Sequence, residues 1–137
     1  MSLCARVPSE LDQICAELGL APTSAQTSAL SSYLDLLQRW NATYNLTAVR
    51  DPAQMVTRHL LDSLAVAPYL RGQDIIDVGT GAGLPGIPLA ILYPGRRISL
   101  LDSNGKKTRF LFQVKTALRL DNMRVHHARA ESFRPPA

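Results

Sequence analysis

The residues best suited to bind a ligand form one glycine-rich stretch, Asp77-Val78-Gly79-Thr80-Gly81-Ala82-Gly83-Leu84-Pro85-Gly86. It lies between a predicted strand and a predicted helix. Gly79, Gly81 and Gly83 allow tight turns and place no Cβ between the backbone and a ligand. The N-terminus of the following helix offers unpaired N–H groups. Together these features predict that the loop binds a nucleotide-like ligand.

An acidic residue stands where such a ligand would need it. Asp102 lies 19 residues after Gly83, at the end of the next predicted strand. A carboxylate in that position can accept hydrogen bonds from both hydroxyls of a ribose. The spacing therefore predicts that the loop and Asp102 together recognise an adenosine group.

Two cofactors fit this pattern, NAD and S-adenosylmethionine. Gly81, Gly83 and Gly86 satisfy the dinucleotide pattern G-x-G-x-x-G, and Asp102 supplies the acid that this pattern expects about 20 residues further on. Asp77 precedes the first glycine by two residues, where its charge would repel a pyrophosphate but favour the ammonium and sulfonium groups of S-adenosylmethionine. The charge favours the methyl donor, and an NAD-dependent oxidoreductase stays open as the alternative.

Helices are predicted for the first part of the chain. Ser9 and Asp12 resemble a capping box, and Gly19 can supply a left-handed cap at the end of that helix. Cys15 falls on its apolar face, so we expect Cys15 and Cys4 to be reduced thiols and not metal ligands or a disulfide.

A second helix begins at the capping pair Thr23 and Gln26, and a third begins at Asp51-Pro52 and ends before Pro68. The second helix carries an apolar stripe at helical spacing. The stripe consists of Leu30, Tyr33, Leu34, Leu37 and Trp40.

Short apolar runs then alternate with helical stretches. The predicted order is strand 75–78, helix 84–92, strand 98–101, helix 106–118 and a weak strand near Val125. This βαβαβ order predicts a parallel sheet. We expect an α/β fold in which N-terminal helices are followed by such a sheet.

Length and hydropathy indicate one compact domain, with 137 residues of which 46% are hydrophobic. The chain has no apolar run of the roughly 20 residues that cross a bilayer and no signal-peptide pattern. These features predict a cytoplasmic protein without a membrane partner.

Positive charge is concentrated in the last third of the chain. Residues 95–137 contain ten lysines and arginines but only three acidic residues. Residues 1–94 contain five lysines and arginines and eight acidic residues. Such a local excess is typical of proteins that bind a phosphate backbone, although a solvated basic face gives the same pattern. The candidate RNA-binding residues are Lys106, Lys107, Arg109 and Arg129. A non-catalytic RNA-binding module is therefore a further alternative.

Several stretches outside the glycine loop match one family. The matching stretches are Arg39-Trp40-Asn41, Tyr44-Asn45-Leu46-Thr47, Val49-Arg50-Asp51-Pro52, Arg58-His59-Leu60-Leu61-Asp62-Ser63, the loop from Asp77 to Pro88, and Leu100-Leu101-Asp102-Ser103. With them the chain resembles the bacterial 16S rRNA guanine-N7 methyltransferases, also called glucose-inhibited division protein B.

The resemblance implies a Rossmann-like class I methyltransferase fold that uses S-adenosylmethionine and acts on 16S ribosomal RNA or the small ribosomal subunit. It implies that Gly79 and Leu84 line the methionine and ribose side of the cofactor, that Asp102 holds the ribose, and that Ala130 and Glu131 border the adenine. Ala130 and Glu131 also follow the third predicted strand, where ligands collect in open α/β sheets.

The family also runs well past residue 137. We therefore expect residues 1–70 to be a helical segment packed on the sheet, and residues 71–137 to be a partial S-adenosylmethionine-binding unit. The first strand would have an unpaired edge, which predicts partial instability or self-association.

No catalytic residue is assigned from the sequence. His59 and Asp62 stand at positions i and i+3 of one helix, so a structural side-chain pair explains them better than catalysis. Guanine N7 carries a lone pair and no proton, and its methylation requires no general base.

Overall fold

The structure is a computed structural model that describes residues 12–47, 51 and 54–133. Residues 12–17 form helix α1. The elements that follow are α2 (Ser24–Tyr44), a π-helical turn (Met55–Leu60) that continues into α3 (Leu61–Ala65), a 3-10 turn (Ala67–Tyr69), β1 (Asp74–Val78), α4 (Gly86–Leu92), β2 (Arg97–Asp102), α5 (Gly105–Leu118), β3 (Met123–His127) and a 3-10 turn (Ala130–Ser132).

The predicted signals at the ends of the first helix are partly visible. Gly19 has a φ of 73°, the left-handed conformation expected of a helix C-cap. Cys15 is buried on the inner face of α1. Ser9 and Cys4 lie outside the described residues.

The predicted capping box of α2 is confirmed. The Thr23 hydroxyl accepts a hydrogen bond from Gln26 N at 3.1 Å, and the Gln26 side chain accepts one from Thr23 N at 2.9 Å. The Gln26 amide also donates to the carbonyl oxygens of Ile91 and Leu92, which fastens the start of α2 to the end of α4. The apolar stripe is buried as predicted, with Trp40 only partly covered.

The third helix differs from a regular α-helix. It contains the π-helical turn Met55–Leu60 before α3, which the residue spacing did not predict. It ends at Ala65, before Pro68, as predicted. Pro52, the predicted first residue of this helix, lies outside the described part of the chain.

The sheet has three parallel strands in the order β1-β2-β3. Val78 is the partner of Leu101, and Asp102 is the partner of His127, so all three strands end at the same edge. The predicted βαβαβ order is confirmed. Helix α4 begins at Gly86 and not at Leu84, because residues 81–85 are turns.

One apolar core joins the N-terminal helices to the sheet. Helix α2 packs against α4 and α5, which in turn contact β2. Leu34 of α2, Ile87 of α4, Leu100 of β2 and Phe110 of α5 are all fully buried in this core. The helices before residue 70 therefore share the core of the α/β unit.

Strand β1 lies at one edge of the sheet. Among the residues that the structure describes, β2 is the only strand that pairs with β1. Ile76 is 44% and Val78 58% exposed, on the face opposite the Asp77 side chain. The predicted unpaired edge is present, and it carries exposed apolar side chains. Of the helices described, none is long and apolar enough to cross a bilayer.

Candidate cofactor-binding cleft

A cleft of about 370 Å³ opens where the three strands end. This volume is within the range of small-molecule sites. Its walls come from the ends of β1 and β2 and from the chain that follows β3. The lining residues are Val78, Gly79, Leu101, Asp102, Ser103, Ala128, Arg129, Ala130 and Glu131.

Asp102 stands at the end of β2 between two segments of backbone. One carboxylate oxygen accepts a hydrogen bond from Gly81 N at 2.9 Å, and the other accepts one from Asn104 N at 2.8 Å. Each carboxylate oxygen can accept a second hydrogen bond. Asp102 therefore positions the glycine loop and keeps acceptor capacity for a ligand in the cleft.

Asp77 lies beneath the loop. Its Oδ2 accepts hydrogen bonds from the Thr80 hydroxyl at 2.6 Å and from Gly86 N at 3.0 Å. Burial raises the pKa of the Asp77 carboxyl above its usual range, although both hydrogen bonds favour the charged form. The side chain joins the end of β1, the loop and the first residue of α4.

The loop glycines adopt left-handed conformations, which agrees with the tight turn predicted here. Gly79, Gly81 and Gly83 have φ values of 69°, 60° and 94°, which are strained for residues with a side chain. A Cβ at Gly83 would lie 2.3 Å from Ile87 Cδ1, whereas a Cβ at Gly79 or Gly81 would meet nothing within 4 Å. The backbone at Gly79 and Gly81 is therefore open to a ligand, which fits an adenosine-bearing cofactor.

The predicted cofactor residues divide into three groups. Gly79, Asp102, Ala130 and Glu131 line the cleft. Asp77, Thr80, Gly81 and Gly83 build or brace the loop. Leu84 borders a neighbouring cavity.

Asp77 does not line the cleft, so its charge would act on a ligand only across the loop. No direct contact between Asp77 and the cleft therefore supports the predicted preference for a sulfonium over a pyrophosphate.

Sequence reasoning missed two kinds of residue. Val78, Leu101, Ser103 and Ala128 line the cleft because each stands at or just after a strand end, a signal that the strand predictions already contained. Tyr33 gave no such signal. Its buried hydroxyl donates to the Ala82 carbonyl oxygen at 2.8 Å and supports the loop from α2.

The candidate RNA-binding residues lie in two places. Lys106, Lys107 and Arg109 are on the first turns of α5, after the Asn104 side chain that caps this helix. Lys106 Nζ lies 5.9 Å from the centre of the Tyr44 ring. Arg129 is exposed in the wall of the cleft.

His59 is held by a residue outside its own helix. Its Nε2 lies 3.0 Å from Thr47 Oγ1, in the segment that follows α2. Burial and the neighbouring Arg58 lower the pKa of His59, while Asp62 acts in the opposite direction. The contact with Thr47 ties this helix to the segment that follows α2. No hydrogen bond between His59 and Asp62 is found among the described residues, so their predicted pairing stays a prediction.

A parallel sheet, a glycine turn after its first strand and an acid at the end of its second define a Rossmann-like α/β fold. Residues 26–137 match the GidB family, described as rRNA small subunit methyltransferase G. The chain belongs to this family.

Individual relatives agree with the family match. The chain is 57% identical to "Ribosomal RNA small subunit methyltransferase G" of Ectopseudomonas mendocina (strain ymp) over 98% of this chain and 64% of that protein. It is 59% identical to the protein of the same name from Pseudomonas syringae pv. syringae (strain B728a) over 92% of this chain and 59% of the relative. The chain therefore spans about three fifths of the length of these relatives.

Proposed function

We propose that the chain is the S-adenosylmethionine-binding part of an enzyme that methylates N7 of a guanine in 16S ribosomal RNA. The observation that carries the proposal is the cleft at the strand ends, where Asp102 keeps acceptor capacity beside the open backbone of Gly79. Membership of the GidB family supports the same reaction.

Each wall of the cleft has a proposed role toward the cofactor. The Asp102 carboxylate accepts hydrogen bonds from the ribose hydroxyls, and Ala130 and Glu131 border the adenine. Gly79 and Gly81 offer backbone without side chains, so the cofactor approaches closely. Leu84 lies toward the methionine end, and Asp77, Thr80 and Gly83 keep the loop in shape.

S-adenosylmethionine supplies a methyl group already activated on a sulfonium. Guanine N7 has a lone pair and no proton to lose, so the protein needs no general base. The remaining work is to align the acceptor with the methyl carbon and to keep water away. The residues of this chain hold the donor for that alignment, and we assign none of them as catalytic.

The first prediction concerns Asp102→Ala. Because a charge-assisted hydrogen bond contributes about 1.5–3 kcal/mol, we expect the Kd for S-adenosylhomocysteine to rise about tenfold or more. Calorimetry measures the affinity, and urea unfolding shows whether the variant folds. Asp121→Ala removes an exposed carboxylate outside the cleft and should leave the affinity unchanged.

NAD serves as the competitor in this experiment, because the loop also satisfies the dinucleotide pattern. If a folded, unaltered chain binds NAD more tightly than S-adenosylhomocysteine, the proposed cofactor is wrong. Loss of affinity in Asp121→Ala equal to that in Asp102→Ala would also reject the role given to Asp102.

We propose that the partner is 16S ribosomal RNA, free or in the small ribosomal subunit, and that the protein acts in the cytoplasm. Arg129 is the strongest candidate for a phosphate contact because it is exposed in the wall of the cleft. Lys106, Lys107 and Arg109 present further positive charge at the start of α5.

The second prediction concerns Arg129→Ala. Loss of one phosphate contact should lower the slope of log affinity against log salt by about 0.7 for single-stranded RNA. Fluorescence anisotropy with a 16S rRNA hairpin measures this slope. Arg71→Ala removes an exposed arginine before β1, at the opposite end of the sheet, and should not change it. An unchanged slope in Arg129→Ala would reject the phosphate contact.

We also propose that this chain self-associates through the open edge of β1. An unpaired edge with exposed Ile76 and Val78 offers both backbone hydrogen bonds and apolar area to a second copy.

The third prediction is that Ile76→Lys shifts the chain toward monomer, because a charged side chain on an edge strand opposes pairing. Sedimentation velocity over a concentration series measures the shift. Val66→Lys adds the same charge at an exposed valine outside the sheet and should leave association unchanged. A chain that stays monomeric at all concentrations would contradict the proposal.

A further inference from the structure

A second cavity, of about 350 Å³, lies beside the end of the glycine loop. It shares no lining residue with the cleft. The cleft includes Val78 and Gly79 at the start of the loop, and the second cavity includes Leu84 and Pro85 at its end. The two cavities therefore lie at the two ends of the glycine loop. The cavity is lined by His59, Asp62, Ser63, Val66, Leu84 and Pro85.

The lining combines apolar side chains with one carboxylate. Val66, Leu84 and Pro85 give it apolar walls. Asp62 is exposed, and its carboxylate accepts no hydrogen bond from residues that the structure describes. Apolar walls with a few polar groups are typical of sites that bind small organic molecules.

His59 is fixed at the side of this cavity. Its contact with Thr47 Oγ1 orients the ring, and burial together with Arg58 lowers the pKa of the imidazole, which favours its uncharged form. The residue lies in the π-helical turn Met55–Leu60, a local structure that is frequent at functional sites. The oriented ring adds a planar surface to the cavity.

We propose that this cavity receives the guanine base that accepts the methyl group, and that the Asp62 carboxylate accepts hydrogen bonds from its N1–H and 2-amino groups. The inference rests on the proposed function and adds the residue that selects the base. Guanine carries two adjacent donors on this edge, whereas adenine carries an acceptor at N1, so a carboxylate discriminates between the two purines. N7 lies on the opposite side of the purine and stays free to react.

The test uses methyl NMR of this chain with S-adenosylhomocysteine present. Guanosine, inosine, adenosine and 7-deazaguanosine 5′-monophosphates are titrated while the Val66 and Leu84 methyl signals are followed. We expect the guanine nucleotide to bind about tenfold more tightly than the adenine nucleotide. The 7-deaza compound should bind as well as guanosine monophosphate, and inosine monophosphate more weakly because it lacks the 2-amino group.

Asp62→Asn should abolish the preference for guanine over adenine, because an amide presents one donor and one acceptor. It should leave the affinity for S-adenosylhomocysteine unchanged. Asp121→Asn, which alters an exposed carboxylate elsewhere, should keep the preference. This readout is a ratio of affinities, so a general loss of stability would not mimic it.

Three outcomes would overturn the inference. The guanine nucleotide could leave the Val66 and Leu84 signals unshifted, or Asp62→Asn could retain the preference. Asp62→Asn could instead weaken S-adenosylhomocysteine binding, which would show that the cavity holds the amino-acid end of the cofactor. Failure of the unaltered chain to bind S-adenosylhomocysteine would contradict the proposed function separately. The nucleotide titrations do not depend on that result, because they follow the Val66 and Leu84 signals directly.

Discussion

The glycine loop depends on one partly buried carboxylate. Asp77 Oδ2 accepts hydrogen bonds from Thr80 and from the first residue of α4, Gly86. The close approach also explains the glycine at this position. A Cβ at Gly86 would lie 2.9 Å from Asp77 Oδ2 and 2.1 Å from Leu100 Cδ2. Strand, loop and helix therefore meet at a point where no side chain fits.

Two further hydrogen bonds hold the same loop from other directions. Asp102 accepts from Gly81 N at the end of β2, and Tyr33 donates to the Ala82 carbonyl oxygen from α2. Tyr33 is fully buried, so its hydroxyl contact is protected from water. Since the loop is anchored from the sheet and from α2, its shape does not need a ligand. A preformed loop loses less conformational entropy when a ligand binds.

The anchoring also links the N-terminal helices to the site. Helix α2 supports the loop through Tyr33, and the segment after α2 contacts the following helix through Thr47 and His59. That helix contributes His59, Asp62 and Ser63 to the cavity beside Leu84. The helices therefore have a role in shaping the site as well as in closing the core.

Local signals in the sequence predicted most of the fold. The capping pair Thr23 and Gln26 marked the start of α2, and Gly19 marked the end of α1. Helix α4 begins two residues later than predicted because the loop turns continue to Pro85. The position of Asp102 in the cleft could be predicted because it directly ends β2, and ligands in parallel sheets bind at the strand ends. The support from Tyr33 could not be predicted, since it joins residues 49 positions apart. The sequence indicated the negative charge of Asp77. Its hydrogen bonds to Thr80 and Gly86 could not be predicted because they depend on how the loop folds.

Amide hydrogen exchange of the ligand-free chain measures whether Asp77 and Asp102 hold the loop before a cofactor binds. NMR would follow the amides of Gly81 and Gly86, with Gly95 in the exposed turn after α4 for comparison. We expect Gly81 and Gly86 to exchange much more slowly than Gly95, and S-adenosylhomocysteine to slow them little further. Exchange as fast as that of Gly95 until the ligand is added would contradict this expectation.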